Sequence, residues 1–451
     1  MKIVPHQRKS TNAKYTSRAG LTAFAQFMSK LNLTEQCEQL FPVRGSNRGY
    51  RASEYINTFV MLFIEGGRCI EDVRHLHTER ALMSLLGIKR IPKGDALGRW
   101  LRRMGRGGLG RKLIERINAK VLKITLGDRR EVTLDIDATA VICDKKHAKR
   151  TYLGKRGYMP MVGHIAETGQ VAATDFRRGN RSPNYDNLGF IKRCMRALPS
   201  GVKVTRVRID AAGWSKKVIG YCQDHGIGYA IRAKSCKDIR ITIASSRESH
   251  WQPLRQRDGT LSKKESTMRM LHVMGGVEDA FTLVIQRRLK DQVDDGKAVQ
   301  QRLPMLCDVD DQTIDCDRYV YRAIATNLDV LDGFDDSDVV HWYNQRGEAS
   351  ENRIRDMKQD FASGRMPCTD HQANGLWFAL SALAYNLFVL FRFTLPQEFE
   401  SAQASTVRYR LFGICARITR HARQMVLKMQ HDHRILLDRV IGGIDRLLPV
   451  A

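Results

Sequence analysis

The 451-residue sequence is marked first by what it does not contain. No apolar h-region follows the opening Met-Lys-Ile-Val-Pro-His-Gln-Arg-Lys, so secretion is not expected. The ten cysteines are scattered, with no C-x-x-C pair. Two C-x-x-H pairs, Cys222/His225 and Cys368/His371, lie far apart, and His75/His77 and His431/His433 lack further ligands at matched spacing. Neither a disulfide framework nor a zinc site is therefore expected, and the thiols fit a reducing cytosol. There is no internal repeat and no low-complexity tract. One apolar run approaches the length of a bilayer span, LWFALSALAYNLFVLFRF from Leu376 to Phe393. It carries Ser381, Asn386 and Arg392 and has no second of its kind, so it reads as a core helix, and no membrane is expected as a partner. Negative charge is also scarce, 48 Asp+Glu against 75 Lys+Arg, which leaves a net +27.

What is present completes the outline. Hydrophobic residues make up 43% and charged residues 27%, enough apolar content for a large core and against general disorder. At roughly 100–200 residues per domain, the length predicts about two to four domains. The basic excess calls for a polyanionic partner, nucleic acid or an anionic membrane surface. Of the two, composition favours nucleic acid.

Periodicity divides the chain. Residues 1–128 read as a helical DNA-binding region: Leu21, Phe24, Phe27, Met28 and Leu31 follow helical spacing, as do Tyr55, Ile56, Phe59, Val60, Leu62 and Phe63. Glu71 to Leu86 reads as another helix. A turn at Ile91-Pro92-Lys93-Gly94 precedes a short basic helix, capped by Asp95, that carries Arg99, Arg102 and Arg103. This is a helix-turn-helix outline with three arginines suited to DNA phosphates. At residue 130 the period becomes two: Val132, Leu134 and Ile136 alternate with Thr133, Asp135 and Asp137. Strands follow at Tyr158 to Ala166, Gln170 to Phe176, Val202 to Ile209 and Gly228 to Ala233, with helices at Asn187 to Leu198 and Ser215 to His225. Strand-strand-strand-helix-strand-helix-strand is the chain order of a ribonuclease-H-like α/β core, a mixed sheet flanked by helices. Its first part spans 129–234 and its second 319–395. Between them, 235–318 reads as a β-rich insertion with short runs such as Ile239 to Ile243, and 396–451 as a basic helical C-terminal region.

Three acids stand at element ends. Asp137 ends the strand in LDIDATAV, Asp210 ends VTRVRID, and Glu351 opens a helix in ENRIRDMK. Carboxylates from distant elements are what hard Mg²⁺ takes, leaving positions for water and substrate phosphate. Asp135 and Glu348 are the nearest rivals. A basic loop with Lys145, Lys146, Lys149, Arg150, Lys155 and Arg156 follows the first core strand and suits DNA backbone contact. Trp251 reads as a core residue, with base stacking as its other use.

These segments resemble the DDE transposases of bacterial insertion sequences, in the subgroup with a β insertion before the catalytic Glu. The resemblance is carried by LDIDAT, RGYMP, VTRVRIDAAGWSKKVIGYCQDHGIGYAIRAK, YNQRGEASENRIRDMKQDF and MPCTDHQANGLWFALSALAYNLF, over roughly residues 130–393. It implies catalytic, metal-binding Asp137, Asp210 and Glu351, each site holding two Mg²⁺ ions, with Mn²⁺ as substitute. The family's Tyr-x-x-Arg, Glu, Lys signature falls on Tyr343, Arg346, Glu351 and Lys358. The step from Arg346 to Glu351 is one residue longer than the common pattern, while that from Glu351 to Lys358 fits. Tyr343, Arg346 and Lys358 would then hold phosphates. The implied function is metal-dependent DNA strand cleavage at element ends and strand transfer, on double-stranded DNA with terminal inverted repeats and on target DNA, by a homodimer in the nucleoid-associated cytoplasm of a bacterium. The alternative is a non-enzymatic, sequence-specific DNA-binding protein derived from a transposase.

Overall fold

The structure, a computed structural model, describes residues 7–43, 48–275, 277–290, 308–309, 313–316, 318–421 and 424–448. The chain divides into two compact units, residues 118–355 and residues 1–117 with 356–451.

The 118–355 unit is built on a mixed sheet. In chain order its main strands are β1 (Glu131–Ala138), β2 (Met161–Ile165), β3 (Val171–Asp175), β4 (Lys203–Ile209), β5 (Gly228–Arg232), β6 (Gln252–Arg255), β7 (Leu261–His272), β8 (Phe281–Leu289) and β9 (Tyr319–Thr326). They lie side by side as β6-β7-β8-β9-β5-β4-β1-β2-β3. β1, β4 and β5 run parallel, while β2, β3 and β9 are antiparallel to their neighbours. The β-rich stretch after residue 250 thus extends the same sheet through the β9–β5 pair. Val132, Leu134 and Ile136 are buried, and so are Thr133 and Asp135 on the other face of β1, so this strand is covered on both sides. The helix Asn187–Ala197 packs so closely on β2 that a Cβ at Gly163 would stand 2.5 Å from Cys194 Sγ.

The other unit is mainly helical. Its centre is the helix His371–Arg392, buried from Ala373 to Phe391. Phe59 and Phe63 of the helix Ala52–Ile64 meet Trp377 edge-on, at ring distances of 5.9 and 4.7 Å, and Phe24 and Phe27 meet Phe391. Such tilted aromatic contacts add roughly 0.5–1.5 kcal/mol each beyond area burial.

Several local expectations need correcting. Ile239 to Ile243 lies in a helix, Lys237–Ser245, with Ile239 and Ile243 buried one turn apart. Glu71 to Leu86 is broken at Glu79 into the helices Val73–Thr78 and Arg80–Leu85. Asp95 stands inside the first turn of Gly94–Gly105, and Lys93 takes the cap position. The strand expected from Tyr158 to Ala166 is interrupted at Met159-Pro160. The 396–451 stretch, expected to be a basic helical region, also holds a hairpin, Ala416–His421 with Gln424–Lys428. Cys316 is disulfide-bonded, a departure from the reading of the thiols as fitting a reducing cytosol. Residues 291–307 of the expected insertion lie outside the described residues.

Candidate active site

The parallel register of β1 and β4 pairs Ile136 with Ile209, so the next residues stand side by side: Asp137, still paired with Val162 of β2, and Asp210, just past the end of β4. Neighbouring strands are about 4.8 Å apart, which brings the two side chains to one place. Asp210 caps the following turn, accepting a hydrogen bond from the Ala212 N–H at 2.9 Å. Beside them runs the helix Asp336–Asp360, carrying Tyr343, Arg346 and Glu351, so Glu351 stands inside a long helix where it was expected to open one. Asp210, Tyr343, Arg346 and Glu351 line a cleft of about 810 Å³. Asp137 stands against Arg346, with Oδ2 3.2 Å from Nη1.

Electrostatics tie these groups together. Burial pushes the Asp137 carboxyl up to about 6; Arg346 opposes the shift, and the negative charges of Asp210 and Glu351 add to it. Burial works to lower the Arg346 pKa, but Tyr343, Asp137 and Asp210 outweigh it and hold the guanidinium above its usual range. Nε and Nη1 of Arg346 are buried without a hydrogen-bond partner among the described residues. The contact with Asp137 is therefore close but not aligned as a hydrogen bond, and donors remain for an incoming anion. Two guanidinium groups lie over the Tyr343 ring, Arg232 at 5.4 Å and Arg346 at 5.5 Å from its centre.

The donor set fits a hard divalent cation: three carboxylates, oxygen only, two of them adjacent, with mutual repulsion that a cation would relieve. As placed, among the described residues no three His, Cys, Asp or Glu side chains are grouped closely enough to hold an ion. Asp135, the rival to Asp137, is wholly buried and accepts a fork from Arg208 at 2.6 and 2.9 Å, so its oxygens are already engaged. The Glu348 side chain lies outside the described residues.

The remaining expected residues are spread more widely. Lys358 follows Glu351 on the same helix, in the segment that belongs to the other unit, and burial lowers the pKa of its ammonium group. Lys155 and Arg156 are exposed on the hairpin Lys149–Arg150 with Arg156–Tyr158. Arg99, Arg102 and Arg103 form the exposed face of Gly94–Gly105, whose other face buries Leu97, Trp100, Leu101 and Met104. Trp251 is a core residue: its Nε1–H donates to Ser246 Oγ at 3.1 Å and Arg287 covers its ring. Sequence reasoning missed Arg232, Lys234 and Arg322, which line the acidic cleft and give it a cationic wall. The basic pair ending the strand in YAIRAK was the available signal for the first two.

The molecule is thus a mixed α/β protein whose paired strand-end aspartates open on an arginine-lined cleft. It belongs to the DDE transposase family: the family described as transposase DDE domain, group 1, matches residues 8–446. Among solved structures it is similar to the piggyBac transposase in a cryo-EM structure of its synaptic complex with hairpin DNA, at 11% identity and a TM-score of 0.44, covering 97% of this chain and 84% of that one. No curated protein matches.

Proposed function

We propose that this chain is the transposase of a bacterial insertion sequence, cleaving DNA at element ends and joining the freed ends to target DNA. Asp137, Asp210 and Glu351 are its metal ligands. The observation that carries this is the β1–β4 register, which sets Asp137 beside Asp210 at a cleft that Glu351 also lines. A ribonuclease-H-like core is supported by the order β5-β4-β1-β2-β3, with two parallel and two antiparallel pairings.

Phosphoryl transfer needs in-line placement and charge neutralisation more than covalent help from the protein. The three carboxylates would hold two Mg²⁺, or Mn²⁺, ions, which supply an activated water and stabilise the leaving 3′ oxygen. The chain's own residues provide the rest. Arg346 can turn its unpaired donors from Asp137 to a phosphate oxygen, and an arginine fork suits that geometry. Arg232, Lys234 and Arg322 line the path of the strand as a cationic wall. Tyr343 braces the Arg232 and Arg346 guanidiniums, and Lys358 adds a point charge further along the helix. The exposed Arg99, Arg102, Arg103, Lys155 and Arg156 engage duplex phosphates, and a homodimer pairs two ends. Residues 1–128 serve as the DNA-binding region, and the nucleoid-associated cytoplasm is the site of action.

The rival is a DNA-binding descendant without catalysis. One observation favours it: the Asp137 carboxylate already faces Arg346 and is not free to ligate until that contact opens. Supercoiled plasmid incubated with the protein and Mg²⁺, with and without candidate inverted repeats, separates the two. Repeat-dependent nicking supports the transposase, and binding without nicking supports the rival.

A further inference from the structure

Two residues below the aspartates stand two others that the proposed chemistry does not use. Asp135 precedes Asp137 by two positions on β1, and Arg208 precedes Asp210 by two on β4, so each pair shares a strand face. Asp135 and Arg208 are cross-strand partners in the parallel register and form a wholly buried, two-pronged ion pair. A buried charge pair is weak evidence of stabilisation, because desolvation of both ions offsets most of their attraction. Its other contacts are more telling.

The Arg208 guanidinium also reaches the helix that bears Glu351. Its Nη1 donates to the Trp342 carbonyl at 2.7 Å and to Gln345 Oε1 at 3.3 Å, and it lies 4.9 Å from the centre of the Trp342 ring. A second tie comes from beyond Glu351. Arg353 donates from Nη2 to the Ala166 carbonyl at 2.7 Å, and its Nη1 stands 3.8 Å from Asp135 Oδ2. Glu351 therefore lies between two anchor points, at 342–345 and at 353, and both converge on Asp135.

We propose that Asp135 and Arg208 are positioning residues: their ion pair, with Arg353, fixes the height and rotation of the Asp336–Asp360 helix so that Glu351 meets Asp137 and Asp210. The arrangement sets one layer of charges, the clamp, directly beneath another, the metal ligands. The two strands that supply two ligands also supply the fork that registers the third. This rests on the metal-site reading above.

The test uses the full chain and the paired substitution Asp135→Leu with Arg208→Met, which removes both charges together. Apolar replacement of a whole buried pair is tolerated where removal of one partner is not. Four quantities are compared with the parent: urea stability, DNA affinity without metal, Mn²⁺ affinity by calorimetry, and kcat against KM for plasmid nicking. The expected result is parental stability, DNA affinity and KM, with Mn²⁺ affinity and kcat each down about 10- to 100-fold, the usual effect of losing a residue that orients a metal ligand. Arg208→Lys, which keeps the charge and loses the fork, should show the same split in milder form, and it serves as the test if the double variant does not fold. A folded double variant with parental kcat and Mn²⁺ affinity overturns the inference, as does a parallel loss of DNA affinity and kcat, which marks a purely structural pair. A parent that neither binds Mn²⁺ nor nicks plasmid overturns the metal-site reading itself.

Discussion

His164 gives the most quantitative prediction. It lies on β2 opposite Asp135, wholly buried, and neither ring nitrogen has a hydrogen-bond partner among the described residues. Burial first, and the nearby Arg353 charge second, lower its pKa from 6.5 to about 3. The unfolded chain therefore takes up a proton near pH 6.5 that the folded chain refuses until near pH 3. Stability from this group is complete above pH 6.5 and declines as pH falls through that window. At 1.36 kcal/mol per unit, the loss between pH 7 and pH 4 is about 3 kcal/mol from this one ring. The perturbation is His164→Leu, which removes the titration and keeps the position filled by a side chain that needs no hydrogen-bond partner. Urea unfolding of parent and variant is followed from neutral to acid pH. Both lose stability through their carboxylates, but the parent should lose about 3 kcal/mol more. Parallel curves would mean that His164 titrates alike in the folded and unfolded chain, the opposite of what its burial requires. The proton would also enter beside Arg353, so acid should loosen the contacts that hold the Glu351 helix.

Three further outcomes follow from the structure. Charge reversal at Arg99, Arg102 and Arg103 should weaken DNA binding and flatten the log–log salt dependence by about 0.9 for each phosphate no longer neutralised, measured by titration at several salt concentrations. Reversal at Lys155 and Arg156 should do the same uniformly across sequences, because binding to the DNA backbone carries no base information. Trp377→Ala, at a wholly buried ring whose Nε1–H donates to the Ala362 carbonyl at 3.1 Å, should cost about 3–5 kcal/mol in urea unfolding.

The parts of the fold that were legible share one property: local signal. Val132, Leu134 and Ile136 alternate, and the three strands of the parallel centre carry similar runs, so their existence followed from period two. Asp137 and Asp210 were legible because each ends such a run. Ile239 to Ile243 misled because I-R-I-T-I also alternates; the buried pair one turn apart, Ile239 and Ile243, was the competing helical signal. The C-terminal hairpin was hidden by composition: Ala416 and Ile418 are buried in alternation, but the basic residues around them read as a solvated helix. The detailed long-range contacts were not legible. That Asp135 belongs to Arg208, 73 residues away, depends on strand register and helix docking together. Arg322 reaches the cleft because β9 pairs with β5, the strand that ends at Arg232, and no spacing in the sequence encodes that pairing.

Plasmid cleavage by the near-isosteric variants Asp137→Asn, Asp210→Asn and Glu351→Gln decides whether the three carboxylates hold the catalytic metal. Each removes one negative charge and leaves side-chain volume almost unchanged. Each should remain folded, bind DNA as the parent does, and lose Mg²⁺-dependent strand cleavage by orders of magnitude, because a carboxamide is a poor ligand for a hard cation. Three variants that cleave like the parent would contradict the account and leave the chain a DNA-binding protein.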